Sequence, residues 1–516
     1  MAEPFYITTA INYPNGPPHV GHAYEAICTD AIARFQRLQG RDVFFLTGTD
    51  EHGLKMAQAA RERGIEPRAL ADEMSSYFRE MDAQLDISFD RFIRTSEPAH
   101  HEASRELWRR MAAKGDIYLG RYEGWYSVRD EAYYDEDELV VADTGEKFSP
   151  QGTPVEWTVE ESWFFRLSAY QDRLLAHYAA NPDFIRPETR RNEVLRFVEG
   201  GLSDLSISRT SFDWGVKVPQ SEEHVMYVWL DALTNYLTGI GFPDTDSESY
   251  RKFWPADLHI IGKDVVRFHA VYWPAFLMSA DLPLPKQVFG HGHVLLRGEK
   301  MSKSLGNVVS PQELVDAFGV DAVRYFLIRD VSFGQDGSYS PEAIVTRVNA
   351  DLANSFGNLA QRTLSFIVKN LEGRLPGGEA DAALLATVRE ALSVEMRDHF
   401  AALALSQGVE AWLRAVFACN QYIDAEAPWA LRKTDPARME AVLATLVQAI
   451  RMLAIAIQPV VPGAAGRLLD QLGVPADERD WRHIGDDSLY ARLQSQEFRL
   501  APPQPIFPRM EMPAQG

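Results

Sequence analysis

The chain has 516 residues, 46% of them hydrophobic and 24% charged, and its 52 basic and 73 acidic side chains give a net charge of −21. That length calls for about three domains, and the composition excludes a collagen-like, disordered or small disulfide-stapled chain. Two cysteines, Cys28 and Cys419, leave no disulfide framework and no four-thiolate metal site, which fits a reducing compartment, while the acidic balance excludes a non-specific coater of nucleic acid.

The opening M-A-E-P lacks the basic and apolar regions of a secretory signal, so a cytoplasmic protein is expected. Phe5 to Thr9 is a short β-branched and aromatic run and reads as a strand. From Val20 to Gln39, the apolar residues Val20, Ala23, Ile27, Ala31, Phe35 and Leu38 fall on one face of a helix closed by Gly40. Val43 to Thr47 follows as a second strand. Strand, helix and strand within about forty residues form a βαβ unit, so an α/β, Rossmann-like fold with a parallel sheet is predicted. The same texture returns at Leu258 to Ile261 and at Gln287 to Phe289. Between them, Asp116 to His224 is aromatic, acidic and turn-rich, as expected of an inserted, strand-bearing connective subdomain that splits the nucleotide-binding fold. From Pro341 the pattern is helical, with Leu405, Val409, Trp412, Leu413 and Val416 at helix spacing. Ala441 to Val461 is the most apolar stretch, but it contains Gln448, Arg451, Gln458 and Pro459 and reads as a buried bundle helix rather than a membrane span. The tail from Ala501 to Pro513 is Pro-rich and expected to be extended. The predicted organisation is a catalytic domain in two halves, 1–115 and 225–290, an insert over 116–224, a loop and stem-contact region over 291–340, and an all-α domain over 341–516.

Two words carry chemistry. Pro17 to His22 (P-P-H-V-G-H) stands between the first strand and the first helix, where unpaired N–H groups and the positive dipole end meet whatever sits above the sheet. His19 and His22 share one side of that turn, and Gly21 leaves room for a flat ring. Together they make a cradle for ATP in which imidazoles donate to phosphate oxygens. For that pattern alone, a metal pair or two surface histidines is an equally good reading. Lys300 to Ser304 (K-M-S-K-S), flanked by Gly298 and Gly306, describes a cationic loop able to close over a triphosphate. A solvated charged loop is the default for a lysine pair, yet a fixed five-letter word arises by chance only about once in several thousand such chains.

Together these words resemble the HIGH and KMSKS signatures of the class I aminoacyl-tRNA synthetases. Within that class, Ala10 to Gly16 (A-I-N-Y-P-N-G), Gly48 to Gly53 (G-T-D-E-H-G), Val228 to Ala232 (V-W-L-D-A) and Ile261 to His269 (I-G-K-D-V-V-R-F-H) resemble the methionyl-tRNA synthetase family, over essentially the whole chain. The resemblance implies ATP-dependent activation of methionine to methionyl-adenylate, then transfer to the terminal ribose of methionine tRNA, initiator and elongator alike. It places ATP, as its Mg²⁺ complex, on His19, Gly21, His22, Glu25, Gly262, Asp264, Lys300 and Lys303, with His19, His22, Lys300 and Lys303 as the catalytic set. It places methionine on Ile11, Tyr13, Asp50, Trp229, Ala232, Tyr236, Val265 and His269, with Asp50 taking the ammonium. Taken singly these aromatics would be core residues. Asp50 stands on its own merits, since an acid directly after a parallel strand sits where ligands bind in such sheets.

Four further expectations accompany the resemblance. Asn358, Arg362, Pro428 and Trp429 match its anticodon-reading positions, where unpaired bases are read by stacking and by hydrogen bonds to their edges. From their charge alone, Arg324, Arg329 and Arg347 could add a stripe tracking the tRNA backbone, although a basic stripe is more often a solvated face. Many members carry Cys-x-x-Cys zinc knuckles in the insert, whereas this chain reads Ser127-Val-Arg-Asp130. No metal is therefore expected, the insert being held by Trp125, Tyr126, Tyr133, Tyr134, Trp157 and Trp163. A monomer is expected, since no appended tRNA-binding module follows the helical domain. The rival readings are a small-molecule nucleotidyltransferase, which needs no large helical domain, and a catalytically silent tRNA-binding scaffold, which needs no intact lysines or histidines.

Overall fold

The computed structural model of the chain describes residues 2–130, 132–299 and 309–512. At its centre is a six-stranded sheet in the order Arg91–Arg94, Asp42–Thr49, Pro4–Thr8, Leu258–Gly262, Val288–His291, Ile185–Arg186, with every pairing parallel. Such a sheet is covered on both faces, and accordingly the successive residues Tyr6 and Ile7, which point to opposite faces, are both fully buried. The helix Val20–Leu38 lies where its periodicity puts it and buries Val20, Ala23, Ile27, Ala31 and Phe35. The order of strands reverses between Pro4–Thr8 and Leu258–Gly262. In open α/β sheets the crevice at the carboxyl ends of the strands beside such a reversal is where ligands bind.

The segment 116–224 does carry its own antiparallel sheet, built on the long pair Ile117–Ser127 and Glu156–Phe165, with Trp125 opposite Trp157. One expectation about it needs correction. Ile185–Arg186 pairs with Val288–Phe289 and forms the edge strand of the central sheet, so this stretch is not wholly an excursion from the nucleotide-binding fold. The aromatic side chains of the insert pack in separate pairs, Trp125 meeting Trp157 edge to face at 5.3 Å. Tyr126 and Tyr133 pack together at 4.7 Å, but Trp157 is 53% exposed, and Trp163 faces Trp108 of the helix Pro98–Ala113, tying the insert to the catalytic domain.

The tight point of the insert is polar and falls where the zinc knuckle would stand. The Asp130 carboxylate accepts hydrogen bonds from Ser149 Oγ at 2.7 Å, Tyr134 OH at 3.0 Å and the Thr153 hydroxyl, while Ser127 Oγ lies 2.6 Å from Thr153 Oγ1. Burial works against the Asp130 charge, but the hydroxyl donors, Thr153 first, hold its carboxyl below the usual range. A carboxylate with several hydroxyls on it closes the turn without thiolates.

The C-terminal part is helical. Leu405, Val409, Trp412, Leu413 and Val416 all lie on the buried face of the helix Leu405–Glu426. Pro436–Ile457 is, among the described residues, the one helix long and apolar enough to cross a membrane, and its most apolar window is 89% buried inside the protein. The tail returns across this bundle, where Asn349 bonds Met510 through both its amide atoms, at 2.9 and 2.8 Å.

The arginine stripe loses Arg324. Arg324 is fully buried, its guanidinium 2.6 Å from Asp30 and donating to the carbonyls of Leu85, Pro459 and Val460. It joins the first helix to the helical bundle and has no face for tRNA. Arg329 and Arg347 are engaged by Glu410 and Asp330.

Candidate active site

A cavity of about 500 Å³ opens at the carboxyl ends of the central strands. Its floor is set by backbone pairing that the sequence words anticipate. Past the end of Pro4–Thr8 the chain continues between Leu258–Gly262 and Asp42–Thr49: Ala10 N–H bonds the Ile260 carbonyl, Asn12 N–H the Gly48 carbonyl, and Asp50 N–H the Asn12 carbonyl at 2.8 Å. Ile11, Tyr13 and Asp50 are thereby brought to one wall.

His19 is the N-cap of the helix Val20–Leu38, and its Nδ1 accepts the Gly21 N–H at 3.1 Å. His22 Nδ1 accepts the N–H of His19, also at 3.1 Å, and the two rings stack at 3.8 Å. This is a capping box made of two imidazoles in place of a hydroxyl and a carboxylate. Because both Nδ1 atoms are acceptors, both Nε2 atoms carry the proton, which makes the pair neutral donors at a helix N-terminus. A Cβ on Gly21 would come within 2.9 Å of His19 Cε1, so the pair requires glycine between them.

Glu25, one helical turn further on, is 2.7 Å from His291 Nε2, and His291 Nδ1 donates to the Gly292 carbonyl at 2.8 Å. Burial alone would lower the pKa of His291, but the Glu25 carboxylate and that carbonyl, acceptors at both ring nitrogens, raise it. Gly262 and Asp264 come from the turn after Leu258–Gly262, and Asp264 lies 2.6 Å from His293 Nε2. Gly292 passes so near another loop that a Cβ there would meet the Gln335 backbone at 2.2 Å.

The remaining wall is apolar. Trp229 stacks on Phe268 at 3.8 Å, nearly parallel. Ala232 and Tyr236 follow on the same helix, Val228–Thr238, and Val265 faces the same space. Tyr236 OH donates to His269 Nε2 at 2.7 Å, while His269 Nδ1 donates to the Val265 carbonyl. Burial pushes the His269 pKa down to about 4, so this pair is neutral and suits an uncharged side chain.

All the predicted ATP and amino-acid residues among the described residues border this single cavity: His19, Gly21, His22, Glu25, Gly262 and Asp264 with Ile11, Tyr13, Asp50, Trp229, Ala232, Tyr236, Val265 and His269. Lys300 and Lys303 lie outside the described residues. The Val309 carbonyl accepts the Val20 N–H at 3.2 Å, at the start of the helix that carries the histidine pair.

Comparison with known proteins decides the family. The family described as "tRNA synthetases class I (M)" matches residues 5–364, and the "anticodon binding domain of methionyl tRNA ligase" matches 373–512. The methionine–tRNA ligase of Mycobacterium bovis is 59% identical over 99% of both chains, and that of Rhizobium meliloti 57% over the same shares. The chain belongs to the methionyl-tRNA synthetases. A solved structure of the Mycobacterium tuberculosis enzyme in complex with methionyl-adenylate superposes with a TM-score of 0.93, at 58% identity, covering 98% of this chain and all of that one. The apo form of the same enzyme gives 0.88 at 54% identity, covering 99% of each chain.

In this synthetase the predicted anticodon residues gather on the helical domain. Arg362 sits over the Trp429 ring at 5.3 Å and pairs with Asp424 at 3.0 Å. Trp429 is 46% exposed, and Asn358 is exposed one turn from Arg362 on the helix Asn358–Leu371. Pro428 is buried at the first position of its helix, so it shapes the turn that presents Trp429. Sequence reasoning missed His291 and His293 as cavity residues. Their signal was available, since the H-G-H word follows a predicted strand, Gln287 to Phe289, at its carboxyl end.

Proposed function

We propose that this chain is a methionine–tRNA ligase, which activates L-methionine with ATP and passes the methionyl group to the terminal ribose of initiator and elongator methionine tRNA. The observation that carries this reading is that one cavity at the strand reversal joins a histidine-rich helix N-terminus to a neutral aromatic wall bordered by Asp50. ATP enters as its Mg²⁺ complex. The Nε2–H groups of His19 and His22, with the first helix behind them, donate to phosphate oxygens as charge shifts. His291, tied to Glu25 at 2.7 Å, holds that carboxylate beside them. Gly262 and Asp264 hold the ribose. Asp50 takes the methionine ammonium, and the Trp229, Tyr236 and His269 wall takes the thioether, where sulfur–ring contacts contribute about 0.3–1.5 kcal/mol each.

The carboxylate of methionine attacks the α-phosphate in line and pyrophosphate leaves, its charge neutralised by Lys300 and Lys303. A tRNA ribose hydroxyl then attacks the adenylate carbonyl and AMP leaves. Positioning and charge stabilisation supply the acceleration, with no covalent enzyme intermediate. Homocysteine differs by one methyl, worth about 1–3 kcal/mol of discrimination, so its adenylate is cleared by attack of its own thiol on the carbonyl, releasing thiolactone and AMP. Asn358, Arg362 and Trp429 read the anticodon. The polar closure of the insert around Asp130 supports a form without structural zinc, and the protein works as a cytoplasmic monomer.

The test is exchange of labelled pyrophosphate into ATP with each of the twenty amino acids and no tRNA. Exchange with methionine alone supports the reading. Exchange with a different amino acid overturns the pocket, and none with any of them points to the silent scaffold.

A further inference from the structure

A buried charge cluster lies behind the amino-acid wall of the cavity, and none of the chemistry above uses it. Asp231 belongs to the same V-W-L-D-A word that supplies Trp229 and Ala232, yet it does not border the cavity and is fully buried. One of its carboxylate oxygens is 2.6 Å from His52 Nδ1 and the other 2.7 Å from His100 Nε2; His100 Nδ1 in turn lies 3.0 Å from Thr238 Oγ1. Burial opposes the charge on Asp231, but His52 and His100 outweigh it and hold the carboxyl below the usual range.

A buried ionised carboxylate is an expensive way to fill space, since apolar side chains of similar volume pack as well or better. What it adds is direction, because each oxygen fixes one ring at hydrogen-bond length. The three segments joined here are the helix Val228–Thr238, the helix Pro98–Ala113 and the turn that follows Asp42–Thr49. That turn carries Asp50 two residues before His52. Its other restraints fix it to different neighbours: Glu51 is held by Arg94 at 2.6 Å, and the Glu51 carbonyl accepts from Trp214 Nε1, also at 2.6 Å. The His52–Asp231 bond runs from this turn to the helix carrying the aromatic wall.

We propose that Asp231, acting through His52 and His100, is a positioning residue for the amino-acid pocket. It sets the spacing between the Asp50 carboxylate and the Trp229–Ala232 wall, so that the ammonium and the side chain of one amino acid are met together. The proposal rests on the assignment of Asp50 to the ammonium.

The test compares wild type with His52→Ala and His52→Asn in pyrophosphate exchange, and measures inhibition constants for 4-(methylthio)butanoate, which is methionine without its ammonium. His52→Ala is expected to raise the KM for methionine about ten- to a hundredfold, leaving the KM for ATP and the inhibition constant of the des-amino acid within about twofold. His52→Asn keeps an N–H donor near the place of Nδ1 and recovers most of the loss. An equal loss for both amino-acid ligands, a rise in the KM for ATP in step, or no change at all would each overturn the proposal. Should His52→Ala not fold, Asp231→Asn, which keeps volume and removes charge, is compared with His52→Asn by the same readouts. A separate Asp50→Asn control isolates the underlying assignment. If wild type binds the des-amino acid as tightly as methionine and Asp50→Asn changes neither, the assignment of Asp50 fails and takes this proposal with it. Where wild type does discriminate, the His52 variants judge the proposal alone.

Discussion

Arg324 is the point at which the catalytic and helical parts of the chain share one buried charge, and Arg324→Met tests whether that charge holds them together. The guanidinium and Asp30 are both fully buried. Removing one member of such a pair costs about 3–5 kcal/mol, because the survivor is left charged in a medium that solvates it poorly. Here the survivor keeps partners: Arg34 Nε at 2.7 Å, and the Ser88 N–H and hydroxyl at 2.7 and 2.5 Å. That compensation puts the cost near the lower limit, about 3 kcal/mol. The carbonyls of Leu85, Pro459 and Val460 also lose a donor, which keeps the figure from falling much further. Urea unfolding followed by circular dichroism and by tryptophan fluorescence measures the loss. Because Pro459 and Val460 follow the long bundle helix while Leu85 and Asp30 belong to the catalytic domain, the transitions reported by the two probes should lie further apart in the variant than in wild type. A loss below about 1 kcal/mol with coincident transitions would refute the reasoning, and would mean that packing around the joint, rather than the charge, holds the two parts together.

Four further predictions come from single sites. The carboxyl of Asp82 is pushed up to about 8 by burial and by the nearby Asp30, whereas an unfolded Asp titrates near about 4. Between those values the folded chain holds a proton that the unfolded chain has lost, so stability falls as pH rises through this window, by up to about 1.4 kcal/mol per pH unit. Asp82→Asn should therefore gain stability over wild type at pH 7.5 relative to pH 5, and parallel urea midpoints at the two pH values would refute this. Asp50→Asn should raise the KM for methionine about ten- to a hundredfold in pyrophosphate exchange while sparing the KM for ATP; equal rises in both would remove Asp50 from the ammonium. Dialysis against chelator should leave the melting temperature, and exchange activity once Mg²⁺ is restored, unchanged, whereas Asp130→Ala, which strips the hydroxyls of the insert of their common acceptor, should lower stability by about 1–3 kcal/mol. A stoichiometric zinc signal in elemental analysis would contradict the first half. Trp429→Ala should raise the KM for tRNA in aminoacylation by about ten- to a hundredfold, as loss of one base–aromatic stack predicts, and leave tRNA-independent exchange untouched; a loss of exchange would place Trp429 in folding instead.

The sequence is legible where local pattern and position in the fold coincide. The first helix announces itself by period and by a stop at Gly40, and Asp50 stands out because an acid just past a parallel strand has few structural uses there. His19 and His22 could be placed at a helix N-terminus from the same logic. Their mutual capping, with each Nδ1 accepting from the backbone, needs coordinates, because it depends on ring orientation. Ile185–Arg186 could not be read as a strand, since two residues carry no alternation, and its place at the sheet edge is decided by tertiary pairing with Val288–Phe289. Arg324 was misread for a related reason. An arginine on a helix is solvated unless something buried needs its charge, and Asp30, which needs it, is 294 residues away. Asp231 shows the same limit inside a recognised word. Trp229 and Ala232 beside it could be assigned to the pocket by matching letters, but the function of the acid between them depends on His52 and His100, at separations of 179 and 131 residues. Periodicity reports what a residue packs against within its own element, whereas a buried charge is accounted for only by its partner. The residues that join the turn carrying Asp50 to its aromatic wall, and the bundle to the first helix, are therefore the ones for which structure is indispensable.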